Sequence, residues 1–111
     1  MIENSAEIRK KISLIYNGIT QELFTVGTSQ IKVDISNHQI SIFAKHRKVP
    51  ILAKLGVVNP AMREQVDHEI TKIYKQALTE QMESEFGIRI QTIFRDFDPG
   101  SETALTHIIL D

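Results

Sequence analysis

The sequence has no cysteine, no tryptophan, 3 prolines and 5 glycines among its 111 residues. Without cysteine there can be no disulfide, no thiolate metal ligand and no cysteine nucleophile. The glycines are too widely spaced for a phosphate-binding loop or a dinucleotide fingerprint. We therefore expect no cofactor.

Long apolar runs are also missing. The longest, Val49 to Val58, is about half the length that a bilayer-spanning helix needs, and it includes Lys54. The N-terminus has no apolar core behind a basic start, as a secretion signal would. These features predict a cytoplasmic protein with no direct membrane insertion. The chain length predicts a single domain over residues 1–111.

An excess of positive charge is absent as well. The formal net charge is −1 and the sequence pI is about 6.4. A protein that binds the phosphate backbone of a nucleic acid usually has a basic surface over a whole face. This chain has one short basic cluster, so we expect no nucleic-acid partner.

Two segments have the pattern of helices. Isoleucines 8, 12, 15 and 19 form an apolar stripe that predicts a helix over about residues 5–24, with Asn4 or Ser5 as its N-cap. Asn59-Pro60 predicts the start of a second helix that continues to Gly87, a natural stop. This helix of about 26 residues is longer than one small sheet needs. We therefore expect a protruding end or a partner that covers it.

The segment from Ser29 to Lys45 predicts a β-hairpin. Apolar and polar residues alternate on both sides of a two-residue turn at Asn37 and His38. With that turn, all the apolar residues fall on one side of the hairpin. The predicted pairs are Ile35 with Ile40, Val33 with Ile42, and Ile31 with Ala44.

Two more strands, "IRIQTIFRDF" and "ALTHIIL", flank a turn at residues 98–100. Simple alternation places Ile88, Ile90 and Phe94 on one face, and Ile93 and Phe97 on the other. A sheet that is apolar on both faces is either sandwiched or used for association. The expected fold is an α+β two-layer sandwich of order α-β-β-α-β-β, with a four-stranded, mainly antiparallel sheet packed by two helices.

No catalytic or metal-binding constellation stands out. The four histidines lack the spacing of a helical metal site. A paired-carboxylate acid/base site needs desolvation inside a pocket, whereas the predicted positions of Asp96, Asp98, Glu102 and Asp111 are a solvated turn and the chain end. We therefore predict no catalytic residue and no metal ligand, and the pattern argues against an enzyme without excluding one.

The basic cluster is Lys45, His46, Arg47 and Lys48, and the apolar run follows it directly. We expect that run to fold beneath the sheet or against a second subunit. Two roles stay open for this region. One is an anion site formed by the cluster together with the amides at the start of the helix after Pro60. The other, which we favour, is an interface between subunits, whose candidate residues are Ile51, Leu52, Leu55, Ile93 and Phe97.

Several segments resemble one known family: "SLIYN", the hairpin, "KHRKVP" and "RDFDP". The chain is similar to the MpsC-like family of small bacterial domains of unknown function, named after a component of a membrane-potential-generating system. The resemblance implies a domain with no assigned catalytic residues, linked by association to ion or inorganic-carbon handling.

These observations together predict a non-enzymatic regulatory or protein-interaction domain. We expect it to be a homo-oligomer, and a membrane-transport protein is a candidate partner. The alternative is a small-anion or nucleotide-binding module that uses the basic end of the hairpin.

Overall fold

A computed structural model describes residues 2–24, 28–47 and 49–111. Its four strands form one sheet in the order β1-β2-β4-β3, and all neighbouring strands are antiparallel. Helices α1 and α3 pack together on one face of this sheet, which confirms the predicted α+β architecture. The elements are α1 (Ala6–Phe24), β1 (Thr28–Ser36), β2 (Gln39–His46), α2 (Pro50–Val58), α3 (Pro60–Phe86), β3 (Ile90–Asp98) and β4 (Thr103–Leu110).

The predicted hairpin is confirmed with its register. Ile35 pairs with Ile40 and Val33 with Ile42, and Asn37 and His38 form the turn. The side chains of this apolar set point toward the helices because successive strand residues alternate between faces. The register therefore places β2 at the centre of the sheet with its apolar face in the core.

The core lies between the sheet and the two long helices. Tyr16 of α1 meets Tyr74 of α3 edge to face, with ring centroids 6.2 Å apart. Leu78 and Met82 follow Tyr74 on the same face of α3, and all three are fully buried. Burying a large apolar side chain stabilises the fold by roughly 1.5–3 kcal/mol. The α1–α3 contact is therefore a major part of the stability.

The ends of the helices follow from local chemistry. Ser5 rather than Asn4 caps α1, because its Oγ accepts a hydrogen bond from the Ile8 amide at 3.2 Å. Asn59 caps α3 in the same way, accepting from the Met62 amide at 3.1 Å. Gly87 ends α3 with φ of 64°, a left-handed conformation that glycine adopts without strain.

The apolar run after the basic cluster is a helix, α2, and it does not lie beneath the sheet, so the first of the two expected positions was wrong; packing against a second subunit stays a prediction. None of its residues is buried, and Ile51 and Val57 are 71% and 85% exposed. The helix packs against the first half of α3. It therefore covers part of the length of α3 that the sheet cannot reach. The sequence had led us to expect that this part of α3 would protrude or be covered by a partner.

The predicted faces of β3 also need correction. A register shift between Ile90 and Thr92 breaks the simple alternation. As a result, Ile90 packs against the same core as Ile93, and Phe94 is left on the opposite, uncovered face at 61% exposure. Ile88, predicted to lie with Phe94, also packs against the core.

In the described part of the chain, no helix combines the length and apolar character needed to cross a membrane.

Candidate anion-binding cleft

A cleft of about 570 Å³ opens where the ends of β2 and β3 meet α2 and α3. Arg95 and Phe97 of β3 and His46 of β2 contribute from the sheet, since all three point to its helix-covered side, and the exposed Asp96 of β3 also lines the cleft. The helices contribute most of the remaining wall. The lining residues from outside the sheet are Phe24, Arg47, Val49, Leu52, Ala53, Arg63, Asp67, Ile70, Thr71 and Pro99.

Arg95 occupies the inner end of this cleft. Its guanidinium carbon lies 4.8 Å from the ring centroid of Tyr74 and 5.8 Å from that of Phe24. Its Nε is buried, and no acceptor among the described residues receives a hydrogen bond from it. The ion pairs found in the described ranges involve Arg63, Lys11 and Lys72, and none involves Arg95. The guanidinium thus rests on aromatic faces without a carboxylate partner.

His46 lies beside Arg95, and its ring stacks on that of Phe97 at a centroid distance of 5.1 Å and an angle of 11°. Neither ring nitrogen is bonded to a described residue, although both are buried. Burial lowers the pKa of His46, and the positive charge of Arg95 lowers it further. The imidazole is therefore neutral near pH 7 and can donate one hydrogen bond and accept another.

Two tyrosines lie behind Arg95. The hydroxyl of Tyr16 is buried without a hydrogen-bond partner in the described ranges, and burial raises its pKa. The hydroxyl of Tyr74 is bonded to Thr106 Oγ1 at 2.8 Å, and burial also raises its pKa. Both phenols stay neutral at physiological pH, so they add no negative charge to balance Arg95.

Arg63 links the two helices that form one wall of the cleft, α2 and α3. Its Nε lies 2.8 Å and 2.9 Å from the two carboxylate oxygens of Asp67, one turn further along α3. Its Nη1 donates to the backbone carbonyl of Leu52 in α2. Arg63 therefore joins α2 to α3, and its charge is already balanced by Asp67. Arg95 is the less satisfied of the two cations.

The structure divides the predicted basic cluster. The side chains of His46 and Arg47 line the cleft, whereas Lys45 is exposed on the other face of the sheet, as strand alternation requires. Lys48 lies outside the described residues. The amides at the start of α3 do not line the cleft, and Asn59 already caps one of them.

The residues predicted for a subunit interface have different environments. Ile51 is exposed on α2, Leu55 is half-buried on the same helix, and Leu52 and Phe97 both line the cleft. Ile93 belongs to the core at 5% exposure, so it is not available to a partner. The interface role of the other four residues and the homo-oligomer stay predictions.

Sequence reasoning did not single out Arg95, the central residue of the cleft. A signal was available, since Arg95 alternates with Ile93 and Phe97 and so belongs to the apolar face of β3. A charged residue on a buried face is rarely there without a partner or a function. The basic cluster of residues 45–48 was predicted instead, because its charges are adjacent in sequence. Adjacency in sequence did not place all of its side chains together in the fold.

Two other candidate sites are weaker. Ser41 Oγ and His107 Nδ1 lie 2.9 Å apart on the uncovered face of the sheet, but neither residue lines the cleft. No group of three or more acidic or histidine side chains within the described ranges could hold a metal ion. The cleft is the better candidate.

No protein-family model matches this chain, and searches of curated proteins and of solved structures find no significant match either. The case for a function therefore rests on the geometry of the cleft.

Proposed function

We propose that this chain is a binding domain for a small organic anion, whose carboxylate is held by Arg95 in the cleft. The observation that carries the proposal is the buried, unpartnered Nε of Arg95. Arg95 as a whole is half-buried, but a buried N–H donor without an acceptor costs about 1–3 kcal/mol, which cation–π contacts of about 0.5–2 kcal/mol offset only in part. A carboxylate would supply the missing acceptor through the parallel hydrogen bonds that arginine favours.

The lining supports one negative charge on the ligand rather than several. The cleft contains three arginines and two aspartates: Arg63 is paired with Asp67, and Asp96 also lines the cleft. The neutral His46 adds no charge. A single carboxylate therefore matches the excess charge better than a polyphosphate does.

The rest of the lining supports an apolar body for this ligand. Besides its charged residues, the cleft is lined by the apolar side chains of Phe24, Leu52, Ile70 and Phe97. A volume near 570 Å³ lies within the range of roughly 300–1,000 Å³ that is usual for small-molecule sites. An ion as small as bicarbonate would fill little of it. Bicarbonate is nevertheless worth testing, because the MpsC-like resemblance implies a link to inorganic-carbon handling.

This proposal develops the anion-binding alternative of the sequence analysis, and it is compatible with a regulatory role. A domain that binds a metabolite without altering it can report the metabolite's concentration to a partner. Regulation of a membrane-transport protein stays a prediction, and the cleft itself contains no feature that identifies that partner.

Thermal unfolding in the presence of hexanoate tests the proposal. At tenfold excess over its Kd, hexanoate should stabilise the fold by about 1.4 kcal/mol, which corresponds to a rise in Tm of roughly 6 °C for a domain of this size. Acetate, which lacks the apolar body, and hexanamide, which lacks the charge, should each give much smaller shifts. Phosphate, bicarbonate and adenosine monophosphate complete the panel.

Arg95→Met should abolish the hexanoate-dependent shift. Arg89→Met is the matched control, because Arg89 is exposed just before β3 and does not line the cleft. Equal shifts for hexanoate and hexanamide, or an undiminished shift in Arg95→Met, would remove the basis of the proposal. A shift with phosphate alone would assign the cleft to a different class of anion.

A further inference from the structure

The face of the sheet opposite the helices is uncovered and partly apolar. Phe43, Phe94 and Leu105 are 50%, 61% and 40% exposed on it. They lie on three neighbouring strands, β2, β3 and β4, and form one patch with Ile109. Apolar groups clustered on a sheet face usually mark a contact surface rather than an ordinary solvated one.

Charges of opposite sign flank this patch within one row of the sheet. Lys32 pairs with Phe43, Phe43 with Leu105, and Leu105 with Asp96, so one line across the strands reads basic, apolar, apolar, acidic. Lys32 is on the β1 edge and Asp96 on the β3 edge. Three strand spacings separate them by roughly 14 Å, too far for an ion pair within one chain.

A second copy of the chain resolves this arrangement. Consider a twofold axis that runs parallel to the strands, between two such faces and over the boundary of β2 and β4. The rotation places β1 of one copy over β3 of the other, and β2 over β4. Phe43 then meets Leu105 of the second copy, and Lys32 meets Asp96 of the second copy, twice by symmetry.

Other orientations match less well. An axis across the strands would exchange this row with the next one, which reads Asp34, Ser41, His107, Phe94. It would place Phe43 over Ser41 and Asp96 over Phe94, so that apolar groups would face polar ones. The axis along the strands pairs apolar residues with apolar residues and opposite charges with each other in the Lys32–Asp96 row, and its one unfavourable match is Asp34 over Phe94 in the next row.

The area is sufficient for a dimer that dissociates on dilution. Four strands of 8 or 9 residues span roughly 19 by 27 Å, or about 500 Å² of projected area on each copy. Two copies would bury roughly 1,000 Å² or more, near the lower limit for a specific interface. Face-to-face sheets accommodate their twist by packing at about 30°. The Lys32–Asp96 row lies near the middle of β1 and β2 and two residues from the ends of β3 and β4.

We infer that this chain forms a twofold dimer through the open face of its sheet, with Phe43 and Leu105 at the centre and Lys32–Asp96 pairs at the edges. Most of this surface lies on the opposite side of the sheet from the cleft, and of the residues named for the dimer only Asp96 also lines the cleft. Lys32→Glu and Leu105→Glu therefore test the dimer without changing the lining of the cleft.

Charge reversal combined with sedimentation equilibrium tests this dimer. Lys32→Glu and Asp96→Lys should each weaken self-association by roughly tenfold or more, because each replaces two attractive pairs with two repulsive ones. The double variant Lys32→Glu/Asp96→Lys should dimerise like the wild type. An equimolar mixture of the two single variants should form a heterodimer, a gain of signal that misfolded proteins could not produce.

Leu105→Glu should also dissociate the dimer, and Val58→Glu is its matched control. Val58 is an equally apolar residue at 83% exposure on α2, away from the sheet face. A wild-type protein that stays monomeric up to millimolar concentration would overturn the inference. So would a dimer that Val58→Glu disrupts and Leu105→Glu leaves intact, or single variants that fail to associate when mixed.

Discussion

Replacing Arg95 with methionine should leave the stability of the unliganded protein nearly unchanged or raise it, while it removes ligand binding. Methionine roughly matches the length of the arginine stem and brings no charge into the space beside Tyr74. A residue that is retained although an apolar substitute stabilises the fold is typical of a binding site. This combination of results separates a functional arginine from a structural one.

The expected magnitude follows from the contacts of Arg95. The substitution loses two cation–π contacts, at 4.8 Å and 5.8 Å from the ring centroids, worth about 0.5–2 kcal/mol together. It also removes a buried N–H donor that has no described acceptor, and such a donor costs about 1–3 kcal/mol. The net change in the free energy of unfolding should therefore lie between a loss of about 1 kcal/mol and a gain of about 2.5 kcal/mol, centred on a small gain.

Urea denaturation of the wild type and Arg95→Met, monitored by circular dichroism, measures this difference. Arg95→Lys should be less stable than Arg95→Met, because it keeps a buried charge and loses the planar stacking of the guanidinium. A loss of 2 kcal/mol or more in Arg95→Met would mean that the cation–π contacts hold the fold together. The reasoning that assigns Arg95 to a ligand would then fail.

Three further substitutions test the surroundings of the cleft and the helix ends. Because the pKa of His46 is lowered in the folded protein, the unfolded chain binds a proton first as pH falls. The neutral imidazole therefore contributes fully to the free energy of unfolding above about pH 6.5, and this contribution declines below that pH. His46→Phe should reduce the loss of stability at acid pH, as measured by urea denaturation at several pH values. Tyr74→Phe leaves the Thr106 hydroxyl without its partner and should cost about 1–2 kcal/mol, whereas Tyr74→Phe/Thr106→Val should recover part of it, as a double-mutant cycle would show. Asn59→Ala removes the cap on the Met62 amide and should cost about 1 kcal/mol, with no change in hexanoate affinity by calorimetry. The environment assigned to His46 would be contradicted if His46→Phe left the pH profile of stability unchanged. A fully additive cycle would contradict the Tyr74–Thr106 hydrogen bond, and an Asn59→Ala variant as stable as the wild type would contradict the Asn59 cap.

The parts of the fold that sequence predicted well are those in which local chemistry and burial agree. The hairpin is an example, because the turn at Asn37 and His38 and the alternation of apolar residues require the same register. Helix α3 is another, because Asn59 and Gly87 mark its ends with residues suited to those backbone positions. In both cases several independent signals lead to one structure.

Helix α2 could not be predicted in this way, because its signals conflict. Its composition is that of a buried segment, yet it lies on the surface with no buried residue. Its N-cap position is Val49, which provides no side-chain hydrogen bond. Pro50 suits a strand exit as well as the first turn of a helix. Tertiary contact with α3 decides between these structures, and the sequence pattern does not encode that contact.

The candidate site could be predicted only in part for a related reason. The basic cluster led to His46 and Arg47, but strand alternation directs Lys45 to the opposite face. Arg95 joins them from a distant strand, at a position set by the sheet order β1-β2-β4-β3. Which residues share the cleft is thus a property of topology, and the sequence predicts hairpins more readily than the order in which they assemble.

The side-chain Nε–Hε signal of Arg95 in a ¹H–¹⁵N correlation spectrum provides the most direct test of the proposed function. The signal can be assigned by its loss in Arg95→Met. Titration with hexanoate should shift it progressively to saturation, because a carboxylate would accept from this N–H, while the signal of Arg89 stays in place. An Arg95 signal that does not respond to hexanoate, or that moves no more than that of Arg89, would contradict the account.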